Sequence, residues 1–472
     1  MLFPTIDFAV FFSIVLTLTW LTPAFSTRWK LLVLAASYVF YGWWDARFCL
    51  LLAAVTVANQ VAATRIARLR GRPRTALVAA TVATDLGVLC YFKYADFFAS
   101  SLDNALGSLG IGSSVPLVQV VLPIGVSFFT FQAISYVIDV HRTKIEPGGF
   151  LDVCVFLSFF PHVVAGPIVR ASEFLPQLHP TREARRLDAT RAICLIVGGL
   201  AKKVVLASFL GTAIVDPVFA QPSAHTSIES LMAVYGYAVQ IWADFSGYTD
   251  IAIGCALLMG IRFPQNFDNP YAARSLQDFW RRWHMTLSRW LRDYLYIPLG
   301  GNRGGRALVA RNLMITMVLG GLWHGAAWTF VIWGALHGAY LVAGRAWAGW
   351  RRTHPPTGID WPMPWLWPRL LTFHAVCLAW VFFRADSLGN ALDVLSRIVT
   401  ARGPAPLVTP AVLVAVGAGL AVHWVPRDAG PRLVSTLSRL APAVQGAAAA
   451  AALLLIGALG PQGVAPFIYY RF

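Results

Sequence analysis

Apolar runs close to the length of a membrane span return from one end of this 472-residue chain to the other. A hydrocarbon core about 30 Å thick needs ~20 mostly apolar residues in a helix, fewer if the helix is short or kinked. The candidate spans are 3–22, 31–44, 48–62, 76–92, 116–139, 192–216, 229–258, 366–384, 410–425 and 444–460. Segment 150–165 is apolar but short, and reads as buried or partly inserted. The chain is 57% hydrophobic and 13% charged, whereas soluble chains carry about 25% charged residues. An ordinary soluble enzyme, a disordered chain and a fibrous chain are therefore excluded. The expected fold is all-α: a single polytopic membrane domain over 1–472, with about ten transmembrane helices plus re-entrant and interfacial ones. Residues 3–22 have no basic segment before them and no small-residue cleavage site after them, so they read as a retained span and not a signal peptide.

Lys and Arg number 38 against 22 Asp and Glu, a net charge of +16. The basic residues sit in short clusters between apolar runs, which is the positive-inside pattern and not a nucleic-acid footprint. Part of the excess also suits anionic lipid or an anionic substrate. The six cysteines form no CxxC pair and lie in apolar stretches, so neither a disulfide framework nor a metal site is expected.

Arg28 and Lys30, the run from Arg65 to Arg74, and Arg142 with Lys144 each follow an odd-numbered span. If those loops are cytoplasmic, the N-terminus is outside and the Arg-rich loop 259–312 is inside. Arg397 and Arg402 then fall outside, a mild conflict. Segment 313–344 begins and ends inside, so it reads as a re-entrant hairpin with Gly320 and Gly321 as its break and His324 near its tip. Ten other crossings place the C-terminus outside too.

Three stretches carry polar groups that apolar packing does not need. The first holds Trp323, His324 and Gly325, followed by His337. An intramembrane imidazole needs a partner or a task, and it is well suited to take a proton from a hydroxyl near neutral pH. A hydrogen-bonded structural histidine is the other reading. The second stretch, Asp244 to Asp250, puts two carboxylates and several hydroxyls inside an apolar helix. They could line a polar cavity, orient a histidine, or join two helices around Gly247. The third runs from Phe279 to Arg292. At about 100° per residue, Arg281, Arg282, Arg289 and Arg292 share one sector of a helix. Trp280, Trp283, Leu287 and Trp290 share the opposite one, with His284 at its edge. This is an amphipathic helix at the cytoplasmic face. Periodicity leaves open an interfacial anchor or a basic mouth for an anionic donor such as a coenzyme A thioester. Phosphate-binding loops, nucleophile elbows and HExxH are absent.

The run from Asn269-Pro270-Tyr271 through Phe279-Trp280-Arg281-Arg282-Trp283-His284 to Pro298-Leu299-Gly300-Gly301-Asn302 resembles a signature of the membrane-bound O-acyltransferase family. Leu322-Trp323-His324-Gly325-Ala326 matches its second signature, and Phe160-Pro161-His162 with Gly166-Pro167-Ile168 an upstream one. The 244–250 stretch, residues 36–44 and the tail Phe467-Ile468-Tyr469-Tyr470-Arg471-Phe472 are similar to its bacterial alginate O-acetyltransferase (AlgI-like) branch, although Tyr470 and Arg471 depart from the usual tail.

The resemblance implies helices around a central funnel or tunnel, with His324 as the essential histidine at its narrow point. It implies acetyl-CoA as cytoplasmic donor, no metal, and delivery of acetyl to an extracytoplasmic partner that modifies a polysaccharide. It places the chain in a bacterial inner membrane, with both termini periplasmic. In this reading His324 is the general base or a covalent acetyl carrier, and Tyr469 a candidate relay. His284 takes part at the site, and Asp244, Asp250, His337 and His162 support it. Arg281 and Arg282 favour the coenzyme A phosphates. A glycan transporter or a non-catalytic scaffold of a polysaccharide synthesis complex is the alternative. Neighbouring genes would discriminate: a secreted acetyltransferase beside polysaccharide synthase genes favours the enzyme.

Overall fold

The computed structural model describes residues 1–111, 120–179, 188–353 and 363–460. The described residues are helical, without a strand, as the apolar runs predict. Nine of the ten expected spans fall mainly on helices, and the tenth, 116–139, is helical from Val126 onward. Five helices are long and apolar enough to cross a membrane, and a sixth is added if Pro410–Trp424 and Ala429–Leu437, bent by 92°, form one span. The others are shorter or more polar. Val126–His141, for example, has only 16 residues, about 24 Å of helix. The chain divides into two compact units.

The first unit comprises Met1–Ala192 and Ala252–Pro264. Its first two helices start where short polar side chains cap them. Thr5 accepts from the Phe8 amide before Ile6–Leu21, and Ser26 accepts from the Trp29 amide before Thr27–Gly42. Arg47–Arg68 and the 38-residue Gly71–Ser108 follow. Phe3, Phe8, Phe40 and Phe160 pack as one aromatic cluster. Several of the buried polar groups are paired, which offsets the cost of burying them. Lys30 meets Asp152 at 2.6 Å, and Asn59 donates to Asp85 at 2.9 Å. The Tyr136 hydroxyl donates to Gln60 at 2.7 Å.

The second unit comprises Ile193–Ile251 and Gln265–Phe472. It holds most of two long helices, Ala189–Ala220 and Ser227–Leu258. The first of these contains two π-helical segments, Ala201–Ala207 and Gly211–Val215. After an irregular stretch come Arg306–His324 and Trp328–Thr353, packed as a hairpin, and then Trp367–Arg384.

The hairpin is present, but it breaks elsewhere than expected. Gly320 and Gly321 lie inside the helix, and the turn is 325–327. The glycines serve close approach instead. A Cβ on Gly321 would lie 2.2 Å from the Phe330 carbonyl oxygen, and one on Gly334 would lie 2.3 Å from that of Met317. Arg306–His324 is also long and apolar enough to cross by itself. A second expectation fails at 279–292. The continuous amphipathic helix is two short ones, Leu276–Trp280 and Met285–Leu291, joined at His284 in left-handed conformation with φ 41°.

Candidate active site

His324 ends its helix at the hairpin turn and is 3% exposed. Its ring meets Trp333 edge-on at 5.0 Å and Phe383 at 5.2 Å between centroids, so the next two helices wall it in. The ring of His284 lies 6.5 Å away. Trp333 in turn touches His337 at 4.7 Å and stacks on Trp380 at 5.8 Å. The structure thus gathers His284, His324 and His337 in one aromatic shell. Inside such an apolar shell a charge would be screened far less than in water.

His284 arrives from a loop. A non-glycine residue at positive φ is uncommon and costs energy, so surrounding contacts must hold it. They do. The Met285 amide donates to the Asn266 carbonyl at 2.9 Å, and the Asp268 amide to that of Arg282 at 2.9 Å. The side-chain oxygen of Asn266 accepts from the amide and hydroxyl of Thr286 at 3.1 and 2.9 Å, and it lies 3.2 Å from His284 Nδ1. Phe245 covers the ring edge-on at 4.6 Å. Full burial pushes the His284 pKa down to about 3, so the ring is neutral.

His337 is fully buried. Its Nδ1 accepts a hydrogen bond from the Trp280 indole at 3.3 Å. An indole N–H can only donate, so a neutral His337 carries its proton on Nε2. Trp280 and Trp283 are themselves buried, which removes them from the interfacial anchor that periodicity suggested. Arg281 is exposed. Arg282 is half-buried and bonds the Asp278 carboxylate at 2.8 Å. Burial would raise the Asp278 pKa, but the bonds from Arg282 and from the Arg274 amide hold it below the ordinary carboxylate range.

Asp244 and Asp250 are engaged by two residues that the sequence reading passed over. Lys203 pairs with Asp244, both buried, and Lys202 bridges Asp250 at 2.5 Å and Ser246 at 3.1 Å. The helices approach closely enough because Gly199 faces Gly247. A Cβ on Gly199 would lie 2.6 Å from the Gly247 carbonyl oxygen. Two lysines inside one apolar run, followed by two aspartates in the next, were the available signal. Breaking one partner of a buried pair leaves an uncompensated charge, so Lys203→Met should destabilise the protein by about 3–5 kcal/mol. The double variant Lys203→Met, Asp244→Leu should recover most of it, read as melting temperature in detergent. Equal melting temperatures for the single variant and the parent would contradict this.

His162 belongs to the first unit. Its Nε2 donates to the Phe156 carbonyl at 2.9 Å, and Phe159, Phe174 and Phe263 surround the ring. These contacts give it a structural task there. Tyr469 lies outside the described residues. Among the described residues, no three His, Cys, Asp or Glu side chains converge as metal ligands.

Long apolar helices and a buried cluster of histidines define a polytopic membrane protein with a candidate active site. Residues 126–383 match the membrane-bound O-acyltransferase family, MBOAT, and the chain belongs to it. It is 43% identical over 363 residues to the probable alginate O-acetylase AlgI of Pseudomonas aeruginosa, covering 76% of this chain and 67% of that protein. It is likewise 43% identical over 387 residues to the probable alginate O-acetylase AlgI of Azotobacter vinelandii, covering 81% and 74%. With the peptidoglycan O-acetyltransferase of Helicobacter pylori it shares 38% identity over 411 residues, covering 81% and 75%. The chain is therefore a membrane O-acyltransferase, and His324, His284 and Trp280 all lie within the matched region.

Proposed function

We propose that the protein takes acetyl groups from cytoplasmic acetyl-CoA and moves them across the bacterial inner membrane. They serve to O-acetylate an extracytoplasmic polysaccharide, alginate-like or another exopolysaccharide, through a partner acetyltransferase. The observation that carries this reading is the burial of His324 beside His284 at a hairpin turn in an aromatic shell. Two of the relatives named above are probable alginate O-acetylases and the third acetylates peptidoglycan, which supports acetyl as the group and a polysaccharide as its destination.

In the chemistry proposed, His324 accepts the proton of an attacking hydroxyl. The oxygen bonds to the thioester carbonyl carbon, and the carbon–sulfur bond breaks. The departing thiolate then recovers the proton from the imidazolium. The hydroxyl belongs to Tyr469, a partner side chain or a sugar. Both termini are proposed to be periplasmic, which puts Tyr469 on the acceptor side.

The test uses the full-length protein in liposomes with acetyl-labelled acetyl-CoA. Label is expected on the acceptor, with free coenzyme A released in equal amount. Failure to use acetyl-CoA while another acyl donor is consumed would overturn the donor assignment. Arg281 is the exposed guanidinium at the proposed mouth, so Arg281→Gln should raise the KM for acetyl-CoA several-fold and change kcat little, the mark of lost uniform binding. An unchanged KM would remove Arg281 from the donor site.

A further inference from the structure

The hydrogen bonds around Asn266 determine which nitrogen of His284 carries the proton. Asn266 is fully buried. Its two side-chain ends are distinguished by a neighbour whose role is fixed: the Thr286 backbone N–H, which can only donate and sits 3.1 Å from Oδ1. Rotating the amide by half a turn would set its NH2 against that N–H. The oxygen therefore faces Thr286, and it also faces His284 Nδ1 at 3.2 Å. An amide oxygen only accepts, so Nδ1 is the protonated nitrogen. In a neutral ring the lone pair then lies on Nε2. That atom is buried and has no hydrogen-bond partner among the described residues. His337 is the contrasting case, because its Nδ1 accepts from an indole N–H.

We infer that Asn266 is a positioning residue that sets the tautomer of His284 and keeps Nε2 available as a proton acceptor beside His324. This rests on the acyl-transfer reading for its use, but not for its chemistry. Two features make the assignment specific. Asn266 holds the same loop by its backbone, through the Met285 amide at 2.9 Å. His284 itself occupies a left-handed conformation, and Phe245 packs edge-on against its ring at 4.6 Å. A histidine in the wrong tautomer offers an N–H where a lone pair is needed, and its contribution is lost.

The test is the 15N spectrum of the histidine-labelled, full-length protein in lipid. The chain has ten histidines, so the His284 signals are identified by their disappearance in His284→Gln. A neutral ring protonated on Nδ1 is expected in the parent protein. A ring protonated on Nε2, or an imidazolium, would overturn the inference whether or not the Asn266 variants fold. In Asn266→Leu the Nε2–H form should appear, and kcat should fall on the order of 100-fold with the KM for acetyl-CoA near its parent value. Asn266→Asp retains an acceptor and should restore the Nδ1–H signal. A Leu variant with an unaltered tautomer would also refute the proposal. Full activity in His284→Gln would count against the catalytic reading of His284 and leave the tautomer assignment in place.

Discussion

Replacing His324 by Ala is expected to bring acyl transfer to background, a loss of about 100-fold or more, while the protein accumulates and inserts normally. The ring lies against Trp333 and Phe383, and both walls are themselves held by Trp380. Removing it should therefore leave the hairpin closed. His324→Asn keeps a polar side chain but has no basic nitrogen, and it should be as inactive as the Ala variant. Activity is measured on purified, lipid-reconstituted protein so that expression and catalysis are separated. Substantial turnover by either variant would exclude His324 as the proton acceptor.

The opposite pattern is expected at Gly321 and Gly334. A Cβ at either position meets a backbone carbonyl oxygen at 2.2 or 2.3 Å, a neighbour that cannot rotate away. Gly321→Val or Gly334→Val should force the hairpin open. The penalty should exceed the ~1–3 kcal/mol of ordinary overpacking, so the protein should fail to give a monodisperse peak in detergent. Gly344 lies in the same helix as Gly334 with nothing within 4 Å of its added Cβ. Gly344→Ala should be neutral or slightly stabilising. A monodisperse, active Gly321→Val protein would show that the hairpin does not depend on this contact.

These two positions also mark what the sequence does and does not reveal. Long apolar runs report helices because lipid and protein interiors reward the same thing, a continuous apolar surface around a satisfied backbone. Each of the ten runs accordingly contains a helix, although the run 116–139 is helical only from Val126. Glycine is ambiguous by itself: it can end a helix or admit a neighbour, and Gly320-Gly321 looks identical in both uses. Only the position of Phe330 decides. The stretch from Phe279 to Arg292 misleads for a related reason. Its projection assumes an unbroken helix, yet the contacts that turn the backbone at His284 come from Asn266, eighteen positions away. The histidines were legible because an imidazole in an apolar run demands an explanation. The asparagine that orients one of them lay in a polar loop, where asparagine demands none.

The ladder between Ala189–Ala220 and Ser227–Leu258 bears on biogenesis. Lys202 and Lys203 are consecutive, yet their partners Asp250 and Asp244 are six positions apart, so the two ammonium groups reach toward opposite ends of the neighbouring helix. Presented singly at the bilayer centre, each charge opposes insertion by about 2.5–3.5 kcal/mol. Two in one helix remove much of what its apolar residues supply. Only positions 221–226 separate the two helices, so the second leaves the ribosome soon after the first. Lateral release of the first helix is then favourable only once the second can neutralise it, and the two should partition into lipid as one electrically balanced hairpin.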